Sequence, residues 1–467
     1  MIVGSGPGGS VTASVLAAAG VDVVVLEEGM DIDSTEVRPF SREQMSAQYR
    51  SRGMTAAVGR PPISYTEGCC VGGGSQVNSG IYHPAPEGLI DKWGRELGIA
   101  HMSDEAFAPL AARVEDRLDV RADPAVGPSG AVLAAGASEL GWRVSEPRRW
   151  VNRAPNGSTD RRGMRETFLR DAIDTGARLF SQCKVLRLLD YGSKSLVVEA
   201  VHHGRLFTVE ASRVVLAAGA IQSPFLLARS GLSFKGVRGR LRMHPTMKAV
   251  AVFDEVVTRP DEVAATQVRE FAPGITIGHA ASRPGLVALG LAPHRGAASQ
   301  MIGRWNTASV YYAATCGDGA GSIRSLPRAN DPVVSYRLHR QEARQLASGL
   351  GRLLHLLLAA GARRVYPSFY GAPVVRTEGD VARALSALDI RSAPLMTVHL
   401  VGSLPLGSQR SAPAVDSWGR LLAEPRISIN DASLLPSAPG VNPMGIVSAM
   451  ALRNAEHLAA EIKRDWT

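Results

Sequence analysis

The chain has 467 residues, of which 45% are hydrophobic and 20% charged, a composition that excludes a disordered or low-complexity protein. This length predicts two or more structural units rather than one simple core. The formal net charge is +9, but the basic residues are scattered, which argues against nucleic-acid binding. The four cysteines lack metal or disulfide spacing, and no apolar run could span a bilayer. We therefore expect a cytoplasmic protein without a metal site or an integral membrane segment.

A glycine-rich turn opens the chain between a predicted strand and a predicted helix. Gly4, Gly6 and Gly9 form the pattern GxGxxG. In this pattern the first glycine allows a tight turn, the second lets a pyrophosphate approach, and the third lets the helix pack closely. A second strand is predicted over Val21–Glu27, and Glu27 follows the pattern at the spacing of about 20 residues expected for an acid that binds ribose hydroxyls. The opening segment therefore predicts dinucleotide binding.

Two later segments add glycine-rich signals. Residues 71–83 read Val-Gly-Gly-Gly-Ser-Gln-Val-Asn-Ser-Gly-Ile-Tyr-His, and three successive glycines suit a loop pressed against a flat ring. Within this loop Asn78 can both donate and accept hydrogen bonds. In residues 214–232 a β-branched strand is predicted to end near Gly219. A helix is predicted to begin near Ser223–Pro224, because serine favours the N-cap and proline the first helical position.

The C-terminal part carries the candidate catalytic groups. His399 follows an apolar run and precedes Gly402, so we expect it to end a strand that faces an open site. A neutral imidazole suits a base that must act near pH 7, although a single histidine beside glycine is more often structural. Asp431 ends a short predicted strand and could be an ordinary N-cap. Asn442 precedes Pro443 and could be an ordinary turn former.

Together these segments resemble the glucose–methanol–choline (GMC) family of FAD-dependent oxidoreductases over nearly the whole chain. Residues 71–83 resemble the flavin-contacting signature of that family, and Gly219–Leu232 is similar to its second signature. Residues 242–245, Arg-Met-His-Pro, are similar to the stretch that closes the FAD domain. The resemblance implies an α/β fold with a Rossmann-like FAD-binding domain and a discontinuous α+β substrate domain. The implied ranges are 1–95, 155–240 and 395–467 for the first domain, and 96–154 and 241–394 for the second.

The resemblance also implies the chemistry. It places His399 at the catalytic base and Asn442 at the second active-site position, for oxidation of an alcohol to an aldehyde or ketone by hydride transfer to flavin. The amide of Asn442 can hold the substrate oxygen but cannot be a base. The residues implied to contact FAD are Gly4, Gly6, Gly9, Glu27, Gly73, Gly74, Asn78, Ser79, Gly80, Val185, Ala218, Gly219, Asp431 and Pro443.

Some relatives in this family bind flavin covalently through a histidine where this chain has Val77, so the resemblance implies noncovalent FAD. It favours a small-molecule alcohol, long-chain or sterol-like, as the substrate. A sugar or aminoglycoside hydroxyl is the alternative. The acids that could bind a cationic sugar are Asp254, Glu255, Asp261 and Glu262, for which a solvated loop is the other interpretation. The sequence does not specify the electron acceptor.

The sequence is also compatible with three other classes of protein. An NAD-linked dehydrogenase would share GxGxxG, another class of FAD enzyme would share Glu27, and a non-enzymatic flavin-binding protein would need no base. The remaining histidines have weaker context than His399. We interpret His83, His202, His203 and His457 as surface or loop residues, and His244 as a residue of the domain junction.

Overall fold

The computed structural model describes residues 1–33, 36–122, 127–145, 148–153, 159–190, 195–232, 239–259, 262, 266–326, 329–407 and 414–466. The predicted domain boundary at residues 154 and 155 lies outside these ranges.

The strands follow one another along the whole chain. In order they are β1 (Ile2–Val3), β2 (Val24–Leu26), β3 (Thr55–Ala57), β4 (Ile63–Tyr65), β5 (Ile81–Tyr82), β6 (Arg121–Ala122), β7 (Val144–Ser145), β8 (Arg148–Arg149), β9 (Val151–Arg153), β10 (Thr159–Arg161), β11 (Arg178–Phe180), β12 (Cys183–Asp190), β13 (Leu196–His202), β14 (Arg205–Ala211), β15 (Val214–Leu216), β16 (Arg242–Met243), β17 (Thr246–Val252), β18 (Gln267–Val268), β19 (Ile275–His279), β20 (Ala308–Thr315), β21 (Ala320–Arg324), β22 (Val333–Arg337), β23 (Arg364–Pro367), β24 (Leu395–Thr397), β25 (Leu400–Val401) and β26 (Ile427–Ile429).

Helices alternate with these strands. They are α1 (Pro7–Ala18), α2 (Arg42–Gln48), α3 (Gly74–Val77), α4 (Leu89–Leu97), α5 (Asp104–Arg117), α6 (Pro128–Glu139), α7 (Phe168–Asp174), α8 (Gly219–Arg229), α9 (Pro284–Leu291), α10 (Ala297–Gln300), α11 (Arg340–Ala359), α12 (Glu378–Ala387) and α13 (Met444–Trp466). Short 3-10 helices occupy Arg50–Gly53, Trp305–Thr307, Ile390–Ser392 and Ala432–Leu434.

The first sheet has five parallel strands in the order β11–β2–β1–β15–β26. Buried apolar residues of α1, α7 and α13 form one cluster with the strands, including Ala13, Leu169 and Leu458. This arrangement confirms the predicted Rossmann-like α/β fold. The second strand is shorter than predicted, because pairing in the sheet is confined to Val24–Leu26. A separate three-stranded antiparallel sheet follows, in the order β12–β13–β14.

The larger sheet has nine strands in the order β3–β4–β24–β17–β20–β19–β18–β7, with β23 also paired to β17. Leucines of α11 pack on one face of it, and Leu346, Leu350 and Leu354 are buried there with strand residues. Strands β3, β4 and β24 come from ranges that the sequence assigned to the FAD domain. The larger sheet therefore joins segments from both predicted domains.

Helix α8 starts earlier than predicted. It begins at Gly219 rather than near Ser223–Pro224, and Pro224 lies inside it. A proline within a helix leaves the carbonyl four residues earlier without its usual amide donor. Here that carbonyl belongs to Ala220, and it accepts a hydrogen bond from the Ser403 hydroxyl at 2.5 Å. The tertiary contact replaces the missing helical bond, which local sequence rules do not reveal.

Two further findings concern the cysteines and the helices. All four cysteines lie in the described part of the chain and are free thiols. Among the helices in the described ranges, none is both long enough and apolar enough to cross a membrane.

Leu354 provides a test of the larger core. Its side chain is 0% exposed, so Leu354→Ala should lower the free energy of unfolding by about 2–5 kcal/mol through lost burial and a residual cavity. Urea denaturation of the purified protein measures this change. The matched variant Leu206→Ala, at a side chain 63% exposed, should change stability by less than about 0.5 kcal/mol. Equal losses in both variants would contradict the assignment of this core.

Candidate active site

The glycine fingerprint makes backbone contacts at the turn between β1 and α1. A Cβ on Gly4 would lie 2.5 Å from the Ala217 carbonyl oxygen, and one on Gly9 would lie 1.9 Å from the Gly4 carbonyl oxygen. Side chains at these two positions would therefore push α1 and β15 away from β1. Gly6 differs, because a Cβ there would have its nearest contact with the Gly73 Cα, at 4.0 Å. Protein packing requires the first and third glycines but leaves the second accessible.

Gly8 is a fourth required glycine that the fingerprint does not identify. A Cβ at this position would lie 1.7 Å from the Asn430 carbonyl oxygen. The Asn430 amide donates to the Thr12 hydroxyl at 2.8 Å and to the Ala451 carbonyl at 3.0 Å. The Asn430 side chain thereby links the interior of α1 to the interior of α13.

Ser5 and Glu27 form the centre of a buried hydrogen-bond network. The Glu27 Oε2 atom accepts bonds from the Ser5 amide at 2.9 Å and the Ser5 hydroxyl at 2.8 Å, while Oε1 accepts from the Gly29 amide at 2.8 Å. Burial raises the pKa of Glu27, an effect that these three bonds oppose. Since a carboxylate has about four acceptor positions, one on Oε1 remains available. Ser5 occupies a variable position of the fingerprint, so its role could not be read from the pattern.

The loop predicted to face a flat ring packs against the fingerprint. The Gly72 amide donates to the Ser5 hydroxyl at 3.0 Å, and a Cβ on Gly73 would lie 2.8 Å from the Gly6 Cα. Gly74 then begins α3. The structure therefore brings the two glycine-rich segments together.

Asn78 and the residues after it are fixed by their own backbone and by α13. The Asn78 Oδ1 atom accepts from the Gly80 amide at 3.0 Å, and Nδ2 lies 3.5 Å from the Met444 sulfur. Gly80 has φ of +72°, and a Cβ there would lie 2.3 Å from a methyl of Val151. These contacts place the end of the loop beside the start of the last helix.

Two arginines donate hydrogen bonds to the backbone of this loop. No sequence motif indicated either of them. Arg161 donates to the carbonyls of Ser75 at 2.8 Å and Asn78 at 2.9 Å, and Arg149 donates to that of Ser79 at 3.3 Å. Burial lowers the pKa of Arg161 to about 10. The arginines come from strands more than 65 residues away in the chain. A local motif could therefore not indicate these contacts.

Asp431 holds the start of α8 in place. Its Oδ2 atom accepts from the Gly219 amide at 2.9 Å and the Ser223 hydroxyl at 2.5 Å, while Oδ1 accepts from the Ser433 amide at 2.8 Å. The Ala218 amide in turn donates to the Ser223 hydroxyl at 3.1 Å. Asp431 is thus the N-cap of the short helix Ala432–Leu434, the alternative that the sequence left open.

Val185 lies on β12 next to an irregularity in the pairing of β12 with β13, between Val185 and Arg187. The Cys183 amide at the start of this strand donates to the Glu27 carbonyl at 2.7 Å. Val185 therefore belongs to the same region of the fold as Glu27.

A short antiparallel ribbon places two histidines opposite each other. In the pairing of β16 with β25, Arg242 lies opposite Val401 and Met243 opposite Leu400. The next pair in this register is His244 and His399. Their Nδ1 atoms are 2.8 Å apart, with ring centroids 4.9 Å apart and planes at 90°.

Thr397 fixes the backbones of both histidines. Its hydroxyl accepts from the amides of His399 at 3.2 Å and His244 at 3.3 Å, and donates to the His399 carbonyl at 3.0 Å. Burial lowers the pKa of His399 well below its ordinary value, and His244 and His83 lower it further. Burial also lowers the pKa of His244 to about 4. Both imidazoles are therefore neutral at pH 7.

His83 follows β5 in a loop, as one interpretation had it, but its placement at the surface is wrong. Its side chain is buried, and its Nε2 atom lies 2.8 Å from the Gln267 amide oxygen. The Gln267 amide nitrogen in turn donates to the Tyr312 hydroxyl at 2.9 Å. Burial lowers the pKa of His83 to about 4. Because Gln267 is 184 residues from His83, no local pattern indicated this contact.

Asn442 and Pro443 lie immediately before α13. The Pro443 carbonyl accepts from the Val447 amide at 2.9 Å. A Cβ on Gly445 would lie 3.0 Å from the His83 carbonyl oxygen, so the first turn of this helix packs on the segment of His83. Within the described ranges no hydrogen bond joins Asn442 to His399. Each is related to His83, because the helix after Asn442 packs on the His83 segment and His83 lowers the pKa of His399.

Comparison with known proteins identifies the family. Residues 45–246 and 319–451 match the sequence models described as GMC oxidoreductase, and residues 2–57 match the NAD(P)-binding Rossmann-like domain. The first two matches distinguish the chain from an NAD-linked dehydrogenase, with which it shares only the Rossmann-like segment.

Individual relatives agree with this assignment. The chain is 36% identical to the GMC-type oxidoreductase y4nJ of Sinorhizobium fredii over 485 residues, covering 100% of this chain and 95% of that protein. It is 27% identical to the long-chain-alcohol oxidase FAO1 of Arabidopsis thaliana, covering 99% and 67%. A structure of Aspergillus oryzae formate oxidase, from work on FAD modification, shares the fold with a TM-score of 0.75, 15% identity and coverage of 99% and 98%. The chain belongs to the GMC oxidoreductase family of flavoenzymes.

Proposed function

We propose that this protein oxidises an alcohol to an aldehyde or ketone, with His399 as the base that accepts the hydroxyl proton. The observation that carries this proposal is the cross-strand pair of His244 and His399, joined through their Nδ1 atoms at 2.8 Å. This contact leaves the Nε2 atom of His399 for the substrate. His399 is also partly exposed, whereas His244 is buried, so the two rings differ in their access to a substrate.

The pair also constrains the tautomers. When His399 carries its proton on Nδ1 and donates to His244, its Nε2 atom has a free lone pair and can act as a base. In the opposite arrangement His244 is the donor, and Nε2 of His399 carries a proton. The reaction requires the first arrangement. His244 is therefore a positioning residue that acts through His399, and Asn442 is proposed to hold the substrate oxygen through its amide.

The residues of the first sheet fit FAD. The accessible backbone at Gly6 suits the approach of a pyrophosphate, and the remaining acceptor position on Glu27 suits a ribose hydroxyl. The residues proposed to hold FAD are Gly4, Gly6, Gly9, Glu27, Gly73, Gly74, Asn78, Ser79, Gly80, Val185, Ala218, Gly219, Asp431 and Pro443. Asp431 would act by orienting the amide of Gly219. When bound, FAD supplies the acceptor for the hydride of the alcohol carbon.

FAD is proposed to bind noncovalently and the substrate to be a long-chain alcohol. Val77 has no nucleophilic side chain at the position implied for a covalent link. The likeness to the long-chain-alcohol oxidase FAO1 over almost the whole chain supports this substrate class. Two of the acids considered for a cationic sugar are engaged by protein groups, because Asp254 pairs with Arg363 at 2.6 Å and Glu262 accepts from the Ser129 amide at 2.8 Å.

Ser5→Ala tests the proposed FAD site. The variant removes one donor to Glu27 and leaves the Gly72 amide without its acceptor, so the dissociation constant of FAD should rise about tenfold or more. Titration of the apoprotein with FAD, followed by flavin fluorescence, measures this constant. The matched variant Ser392→Ala alters a hydroxyl that bonds only to the exposed Asp389 carbonyl and should bind FAD normally. Unchanged affinity in Ser5→Ala would contradict the proposed network.

His399→Asn tests the base. Loss of the proton acceptor should slow flavin reduction by an alcohol about 10²- to 10⁴-fold, with FAD content, measured after acid release, close to that of the wild type. Stopped-flow absorbance gives the rate under anaerobic conditions. The control is His203→Asn, because His203 is exposed with φ of +47°, which asparagine tolerates. A His399→Asn variant that reduces its flavin at the wild-type rate would exclude this residue as the base.

The pH profile provides an independent test. A base must be neutral to act, and the pKa of His399 lies well below 6.5. The value of kcat/KM should therefore stay level as the pH falls from 8 through 6.5 and decline only in more acidic solution. The measurement uses an alcohol without ionisable groups, with the flavin spectrum recorded at each pH to confirm that FAD stays bound. A decline centred at 6.5 or above would contradict the lowered pKa of His399 and its role as the base.

A further inference from the structure

Strand β17 carries one lysine that the proposed mechanism does not use. Side chains alternate along this strand, and Met247, Ala249 and Ala251 are buried in the core cluster that includes α11. Thr246 and Lys248 lie on the opposite face and are partly exposed. Lys248 is therefore inside the fold but reachable from solvent.

Lys248 lies in a row of residues that crosses four strands. Gln267 on β18 is paired with Gly278 on β19, Gly278 with Tyr312 on β20, and Tyr312 with Lys248 on β17. Gln267 hydrogen-bonds His83 at the other end of this row. Three spacings of about 4.8 Å separate the outer strands by roughly 14 Å. The row thus leads from Lys248 to Gln267 and its hydrogen-bond partner His83.

The ammonium group of Lys248 has no charged partner. Throughout the described part of the chain no carboxylate forms an ion pair with it, whereas the Lys184 ammonium lies 2.8 Å from a carboxylate oxygen of Glu28. Burial lowers the pKa of Lys248 to about 8, so the group is mostly charged at pH 7. A partly buried charge without a partner is unfavourable and becomes favourable when an anion binds.

We propose that Lys248 binds an anionic group of the substrate, so that this enzyme oxidises alcohols that carry a carboxylate or phosphate at the far end of an apolar chain. The inference rests on the proposed function, because it assumes that the hydroxyl lies at His399. The apolar and small side chains between the two sites, such as Ala314 opposite Thr246, suit a hydrocarbon segment. Lys248 follows His244, the ribbon partner of His399, by four residues, a span of roughly 13 Å in an extended chain. Several carbons therefore separate the hydroxyl from the anion.

The kinetic test compares 8-hydroxyoctanoate with 1-octanol. Wild-type enzyme should show the higher kcat/KM for the hydroxy acid. Lys248→Met should lower this value about 10- to 100-fold, chiefly through KM, since a hydrogen bond to a charged group is lost. The value for 1-octanol should fall much less. Lys248→Arg should restore most of the preference, and Lys92→Met, at an exposed lysine on α4, should retain it.

A binding test separates this proposal from the proposed function. Octanoate and octyl phosphate are titrated into the FAD-loaded protein, and binding is followed by isothermal calorimetry, which needs no turnover. Tighter binding of either anion than of 1-octanol, lost in Lys248→Met, supports the subsite, and the stronger of the two identifies carboxylate or phosphate. If neither anion binds better than 1-octanol, or if Lys248→Met binds both as the wild type does, the subsite is refuted. Failure of every alcohol to reduce the flavin would instead refute the proposed function.

Discussion

The antiparallel ribbon of β16 and β25 is the constraint on which the candidate site depends. Its register sets His244 opposite His399, and the Thr397 hydroxyl holds the backbone of both. The ribbon joins β16, near the middle of the chain, to β25, near its end. The site therefore forms only when most of the chain has folded. A slip of one residue in this register would turn one imidazole to the other face.

The region proposed to bind FAD depends on a different constraint, the close approach of backbone segments. Gly8 and Gly9 allow α1 to contact Asn430 and the Gly4 carbonyl, and Ser5 ties the turn to both Glu27 and the second glycine-rich loop. Hydrogen bonds to buried groups are costly to leave unmade. The network therefore fixes the position of Glu27 through the protein alone and leaves one acceptor position for a ligand.

Local spacing made part of this structure predictable. The turn at Gly4, Gly6 and Gly9 and the helix that follows depend on neighbouring residues, and the sequence located them correctly. Contacts between distant segments were not predictable in this way. The burial of His83 was missed because its partner Gln267 is far away in the chain. The predicted start of α8 was too late because Ser223–Pro224 is a local start signal, whereas the distant Ser403 supplies the bond that Pro224 removes. The family resemblance selected His399 as the candidate base, but only the ribbon shows that His244 is its partner.

The composition of the nine-stranded sheet has a consequence for how this fold can change. Strands from residues 55–65, 144–145, 246–367 and 395–397 combine in that sheet. The sheet proposed to receive the substrate is therefore not encoded by one contiguous stretch of sequence. Replacing one gene segment with that of a relative would exchange only some strands of this sheet and would leave unpaired strand edges. New specificity in this architecture is therefore more accessible through individual side chains on the sheet than through recombination of whole segments.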